Sequence, residues 1–128
     1  MMKKFILMAA LAIFGFADEF TKDDMAKWFK EYESVVKEGR KLFTSPRLGT
    51  NSVTCNECHP NATNTHPETY PKFQKQLGKV ATMAEMINWC IQNPLKGKPL
   101  AIDSKEMTAL IAYITEERRD VPLAPGKH

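Results

Sequence analysis

Residues 55 to 59 read Cys-Asn-Glu-Cys-His, and this pentapeptide decides the expected fold and cofactor of the chain. Two thiols three positions apart can each add to a vinyl group of protohaem, and a histidine directly after the second cysteine can ligate the iron. Cys55 and Cys58 are therefore the predicted attachment residues, and His59 is the predicted proximal ligand. The pentapeptide predicts one covalently bound haem c.

Two other kinds of site also use a Cys-x-x-Cys pair, but the rest of the sequence fits neither. A structural zinc site needs four ligands, usually in two spaced pairs, whereas the other candidates here are Cys90, His66 and His128, which form no pair. A thiol-disulfide oxidoreductase carries its cysteines where a strand meets a helix, whereas the flanks here are polar and rich in Asn and Pro. The chain is therefore interpreted as a c-type cytochrome.

The N-terminus has the composition of an export signal. Met1 to Lys4 form a basic start, Phe5 to Phe16 form an apolar stretch of twelve residues, and Gly15 to Ala17 supply small residues before a cleavage site. We therefore expect a signal peptide over residues 1–17 and a periplasmic protein. An uncleaved membrane anchor is the alternative, but a spanning helix needs about 20 apolar residues, so we expect no membrane span after cleavage.

Removal of residues 1–17 from the 128-residue chain would leave 111 residues, enough for one small domain. We predict a cytochrome c domain over residues 18–119 and a flexible tail over residues 120–128, which contains two prolines and a glycine. Loss of Lys3 and Lys4 leaves 16 basic against 15 acidic residues, so the net charge falls from +3 to about +1. This balance gives no support to nucleic-acid binding.

Hydrophobic periodicity predicts a helix on each side of the haem motif. The first spans Asp23 to Phe43, with apolar residues at three- and four-residue steps and a weak capping box over Thr21 to Asp24. Gly39 interrupts its apolar stripe, which indicates close approach by another helix. The second spans Met83 to Gln92 and begins with a capping box over Thr82 to Glu85.

A third helix is predicted from Lys105 to about Arg118, with Asp103 and Glu106 at capping positions. Met107 lies in its apolar stripe and is therefore interpreted as a core residue.

A long first helix, a haem motif, a middle helix and a last helix with an Ala-Tyr-Ile stretch resemble class I cytochrome c. The resemblance implies an all-α fold in which the N- and C-terminal helices cross around the haem. It also implies that Gly39 and Phe43 meet the face from Leu110 to Ile114, with Tyr113 near the crossing.

The sequence departs from the class I pattern where the sixth iron ligand is expected. Most class I members supply a methionine from the loop between the last two helices, but residues 94–103 contain none. Other donors after the signal peptide, besides lysine and asparagine side chains, are Met25, Met83, Met86, Met107, His66, His128 and Cys90.

Cys90 is the first-ranked candidate, because an unpaired cysteine in an oxidising compartment is a liability unless it is buried or used. The segments from Thr82 to Ile91, Lys98 to Leu100 and Ser104 to Leu110 resemble the haem domains of SoxA and of thiosulfate dehydrogenase, TsdA. The segments Glu38 to Phe43 and Tyr70 to Phe73 resemble the same domains. That resemblance implies that the cysteine at the position of Cys90 ligates the haem.

Several alternatives to this ligand remain open. Cys90 could be a buried apolar residue with an intact thiol, in which case Met86 or Met83 would supply the sixth ligand. His66 follows the motif closely among prolines, a path that favours a surface or propionate-contacting role over ligation. Lys96 and Lys98 flank the expected haem edge, where lysines can steer redox partners or can simply be solvated.

Two functional classes are compatible with these residues. In the first, the protein is a monohaem electron carrier, with redox proteins or a second cytochrome subunit as partners, in sulfur-compound oxidation. In the second, it is a SoxA/TsdA-like catalytic subunit of thiosulfate oxidation in which Cys90 acts in catalysis. The small size of the chain favours the carrier over the enzyme. Binding of a small ligand at an open iron position is a further alternative.

Overall fold

The computed structural model describes residues 20–122, which form four α-helices and one small sheet. The expected signal peptide and residues 123–128 of the expected tail lie outside the described residues. No helix within residues 20–122 is long and apolar enough to cross a membrane. The elements are α1 (Lys22–Phe43), α2 (Cys55–Cys58), β1 (Lys72–Gln74), β2 (Lys79–Ala81), α3 (Met83–Gln92) and α4 (Lys105–Glu117), with short 3-10 turns at Pro46–Leu48, Pro60–Ala62 and Pro67–Thr69.

The three predicted helices are confirmed, each to within one residue at either end. The capping boxes of Thr21 with Asp24 and of Thr82 with Glu85 are both present. The predicted cap at Asp103 is wrong. Ser104 is the N-cap of α4, and its hydroxyl accepts a hydrogen bond from the Met107 backbone N–H at 3.1 Å, because it lies three positions before that donor.

Helices α1 and α4 cross in close contact, as the class I resemblance implied. Gly39 lies against the Ala109 backbone and the Tyr113 Cβ, and the Phe43 and Tyr113 rings pack with centroids 5.1 Å apart. Leu42, Leu110 and Tyr113 are each about 1% exposed. This crossing is the centre of the core, and the predicted all-α class I fold is confirmed apart from a short hairpin.

The apolar stripe of α1 is buried only in its C-terminal half. Opposite Tyr32, whose hydroxyl donates to Glu116 at 3.0 Å, helix α4 reaches its end. The part of α1 that precedes Tyr32 extends past α4. Large apolar side chains are exposed on this part of α1 and just before it: Phe20, Met25, Trp28 and Phe29.

The hairpin formed by β1 and β2 was not predicted. The two strands are antiparallel, with Phe73 opposite Val80 and Gln74 opposite Lys79. Each strand has only three residues, which is too short for alternation to stand out in the sequence.

Candidate haem site

The two cysteines of the pentapeptide lie on a single turn of helix, α2. The His59 backbone N–H donates to the Cys55 carbonyl at 3.0 Å, and the Thr54 N–H donates to the Glu57 carboxylate at 2.6 Å. Residues three apart on a helix share a face. Cys55 and Cys58 are therefore presented together, to the same cavity.

The His59 ring is oriented by a backbone carbonyl. Its Nδ1 lies 2.9 Å from the Thr63 carbonyl oxygen, which can only accept, so Nδ1 is the donor and the lone pair of the neutral ring is on Nε2. Asn61, Ala62 and Asn64 adopt positive φ and turn the chain back past the ring. A histidine whose second nitrogen is held in this way is typical of a metal ligand.

A cavity of about 360 Å³ lies beside α2, between the α1–α4 pair and α3. Its walls are largely hydrophobic and include Phe43, Ile87, Leu110 and Ile114, and both thiols and the imidazole reach it. A covalently attached haem needs this combination of apolar walls, two thiols and one imidazole with a free nitrogen. The residues therefore fit the predicted cofactor.

Helix α3 presents sulfur donors to the same cavity. Met83, Met86 and Cys90 all line it, which places the three predicted sixth-ligand candidates together. Burial raises the pKa of the Cys90 thiol to about 11, with a smaller contribution from Cys58. Burial likewise raises the pKa of Cys55 to about 11.

The loop after α3 is hydrogen-bonded to the loop after α1, and it supplies no methionine to the cavity. The Thr50 N–H donates to the Leu95 carbonyl at 2.9 Å, and the Gly97 N–H donates to the Ile91 carbonyl at 2.7 Å. A Cβ at Gly97 would lie 1.9 Å from the Leu48 carbonyl oxygen, so only glycine fits there. Pro94 is the residue of this loop that lines the cavity.

Asn88 connects the C-terminal part of that loop to α3 by two hydrogen bonds. Its Nδ2 donates to the Leu100 carbonyl at 2.8 Å, and its Oδ1 accepts from the Leu100 N–H at 2.8 Å. This pairing joins the loop to α3 only two residues from Cys90.

Residues 38–123 match the family described as SoxA/TsdA, cytochrome c domain. The chain belongs to this family. It is 32% identical to a thiosulfate dehydrogenase of Psychrobacter arcticus, over 72% of this chain and 32% of that protein. It is 28% identical to an L-cysteine S-thiosulfotransferase subunit SoxA of Rhodovulum sulfidophilum, over 81% of this chain and 38% of that protein. A thiosulfate dehydrogenase of Stutzerimonas stutzeri is 31% identical over 64% of this chain and 31% of its own length.

The chain spans about a third of the length of these relatives. Membership of the SoxA/TsdA cytochrome c domain family means that haem c is covalently bound and that the relationship is to cytochromes of sulfur oxidation. The predicted resemblance to SoxA and TsdA is confirmed.

The other predicted donors within residues 20–122 do not line the cavity of this SoxA/TsdA domain. Met107 is fully buried in the core and Met25 is 56% exposed on α1. His66 Nδ1 pairs with a Glu68 carboxylate oxygen at 3.1 Å and does not line the cavity. Lys96 and Lys98 are exposed, and neither lines the cavity. His128 lies outside the described residues.

Sequence reasoning missed the polar wall of the cavity. Tyr70, Lys72, Gln74 and Gln76 all line it. They occur at every second position. Lys72 and Gln74 lie on β1, where alternate residues share a face, while Tyr70 precedes the strand and Gln76 follows it. That alternation of polar residues is the signal available in the sequence.

Proposed function

We propose that this protein is an exported, periplasmic cytochrome with one haem c that transfers electrons in the oxidation of sulfur compounds. Three similar proteins named as thiosulfate dehydrogenases or as a SoxA subunit support the sulfur chemistry. The basic and apolar N-terminus supports export. When bound, the haem supplies one-electron redox chemistry.

In this proposal each residue of the site has its own role. Cys55 and Cys58 would tether the cofactor, and His59 would offer its Nε2 to the iron while the Thr63 carbonyl holds its Nδ1. The hydrophobic walls of the cavity would keep water away from the haem. They would also favour the oxidation state in which the iron and its ligands carry the smaller net charge. Redox partners, among them a second cytochrome subunit, donate and accept the electrons.

We assign the sixth ligand to Cys90. The observation that carries this assignment is that Cys90 lines the cavity shared with His59, whereas residues 94–103 contain no methionine. A thiolate stabilises ferric over ferrous iron, so it lowers the reduction potential relative to a thioether. We therefore expect a low-potential cytochrome.

Electron paramagnetic resonance of the ferric protein tests the ligand. The wild type should show a low-spin thiolate signature that Cys90→Ala abolishes and that Met86→Ala and Met83→Ala retain. The methionine variants are matched controls, because they remove sulfur from the same helix face. A signature unchanged in Cys90→Ala would contradict the assignment.

A catalytic role is the second candidate, because Cys90 shares its cavity with several polar side chains and the relatives bear enzyme names. Steady-state oxidation of thiosulfate with an artificial electron acceptor distinguishes the two. Turnover that is lost in Cys90→Ala would establish the enzyme. An inactive protein that exchanges electrons rapidly with redox proteins would establish the carrier.

A further inference from the structure

The turn behind the His59 ring contains backbone conformations that residues other than glycine seldom adopt. Four residues between positions 61 and 66 have positive φ, at 50° for Asn61, 57° for Ala62, 61° for Asn64 and 47° for His66. Asparagine tolerates the left-handed region, but alanine has no polar side chain that could offset the steric cost. Such a conformation persists only where its surroundings hold it. Ala62 therefore marks a turn that other groups must keep in place.

Packing and backbone hydrogen bonds hold Ala62 in part. The residue is fully buried and belongs to the core cluster at the crossing of α1 and α4. Its N–H donates to the His59 carbonyl at 2.9 Å, and the Thr63 N–H donates to the Pro60 carbonyl at 3.1 Å. Two successive hydrogen-bonded turns thus connect the histidine to Thr63.

Two side chains hold the same turn by further hydrogen bonds. The Asn61 N–H donates to the Oδ1 of Asn56 at 3.0 Å, and the Thr65 hydroxyl donates to the Ala62 carbonyl at 2.7 Å. Asn56 lies on α2, between the two cysteines of the haem motif. Its hydrogen bond therefore joins the helical turn that precedes His59 to the left-handed turn that follows it.

The carbonyl that orients His59 lies at the end of this turn. The Nδ1 of His59 donates to the Thr63 carbonyl oxygen at 2.9 Å. The direction of that carbonyl depends on the backbone angles of Asn61 and Ala62, because they are the two residues immediately before Thr63. A change in either angle would move the carbonyl away from the ring. Asn56 thus acts on the imidazole through the backbone, without touching it.

We propose that Asn56 is a positioning residue for the proximal ligand: it holds Asn61 and thereby the Thr63 carbonyl that fixes the His59 ring. The inference rests on the proposed function, in which His59 ligates the haem iron. It assigns a role to the first of the two residues between the cysteines. The attachment chemistry itself requires no particular side chain at that position.

The hydrogen bond from Nδ1 changes the electronic properties of the imidazole. A ring that donates to a carbonyl is a stronger electron donor at its other nitrogen, so it favours ferric over ferrous iron. Loss of the Asn56 side chain should weaken that hydrogen bond and raise the reduction potential. If Asn56 contributed only to folding, its loss would lower the stability of the protein without this shift.

Spectroelectrochemical titration of the holoprotein provides the measurement. At a fixed applied potential, Asn56→Ala should increase the ratio of ferrous to ferric haem about threefold or more. Asn56→Asp keeps an acceptor oxygen for the Asn61 N–H, and its added negative charge favours ferric iron, so its ratio should not exceed that of the wild type. Asn51→Ala is the matched control and should keep the wild-type ratio, because Asn51 donates to the Pro94 carbonyl at 2.7 Å, outside the turn.

Hydrogen exchange of the Ala62 amide reports on the turn directly. The exchange should accelerate about tenfold or more in Asn56→Ala and stay unchanged in Asn51→Ala, because the Ala62 hydrogen bond breaks when the turn opens. Thr65→Val removes the other side-chain hydrogen bond and leaves the haem motif intact. It should change both measurements in the same direction, so it decides the question if Asn56→Ala fails to take up haem.

Equal reduction potentials of Asn56→Ala and Asn51→Ala would overturn the positioning role, whatever the change in stability. This failure is distinguishable from failure of the proposed function. The spectroscopic comparison of Cys90→Ala reports on the sixth ligand and does not depend on Asn56. A wild-type protein with bound haem, a thiolate signature and no effect of Asn56→Ala on the potential would overturn this inference alone.

Discussion

Gly39 of α1 lies directly on the backbone of Ala109 in α4, and a Cβ at residue 39 would come within 1.9 Å of the Ala109 carbonyl oxygen. We therefore expect Gly39→Ala to force the helices apart and to lower the free energy of unfolding by about 2 kcal/mol or more. Guanidinium unfolding followed by circular dichroism measures this. Ser34→Ala, at an exposed position of the same helix, is the control, and equal stability of the two variants would contradict the close crossing.

Asn88→Ala should loosen the loop that precedes α4. The substitution removes both partners of the half-buried Leu100 amide and carbonyl, for an expected loss of about 1–3 kcal/mol. Hydrogen exchange of the Leu100 amide should accelerate. The control is Asn93→Ala, which removes an exposed bond to the Trp89 carbonyl at the end of α3. Unchanged exchange at Leu100 would show that the pairing does not hold the loop.

The Met107→Ala variant tests whether Met107 is a core residue or an iron ligand. Met107 is fully buried, so we expect a loss of about 2–5 kcal/mol in unfolding free energy with an unchanged ferric absorption spectrum. Met25→Ala, at a position that is 56% exposed, should change stability by less than about 0.5 kcal/mol. A spectral change in Met107→Ala would contradict its assignment to the core.

Glu85 should contribute to stability in a pH-dependent way. The hydrogen bond from Lys79 and, to a smaller extent, those from Thr82 lower the pKa of Glu85 from 4.5 to about 2 in the folded protein. Because the folded-state pKa is the lower one, the stabilisation is complete above pH 4.5 and disappears as the pH falls to about 2.

Unfolding experiments across that pH range give the measurement. Glu85→Gln should be less stable than the wild type at pH 7, and the difference should shrink between pH 4.5 and pH 2. Glu31→Gln, at an exposed site on α1, serves as the comparison. A difference that stays constant with pH would contradict the role of the carboxylate.

Much of the fold could be predicted because its helices carry strong local signals. The caps Thr21 and Thr82 and the apolar periodicity set the helix bounds almost to the residue. The extent of burial could not be predicted in the same way. The stripe on α1 continues to Met25, yet it is buried only as far as α4 reaches, and that depends on where another helix ends.

The part of the candidate site that is formed by a contiguous motif could be predicted from the sequence. The prediction for residues 55–59 needs no tertiary information, and the lack of methionine in residues 94–103 favours another donor, such as Cys90, as the sixth ligand. The position of Lys72 in the cavity wall could not be foreseen, because it depends on a hairpin of three-residue strands.

The position of the cavity also bears on how the domain unfolds. Phe43 and Leu110 line it from the α1–α4 pair, while Met86 and Cys90 line it from α3, and α3 meets α4 directly at few points. A group seated there would touch both parts and bridge them. The cofactor would therefore be a structural part of the core, and we expect the unfolding transition to be less sharp without it.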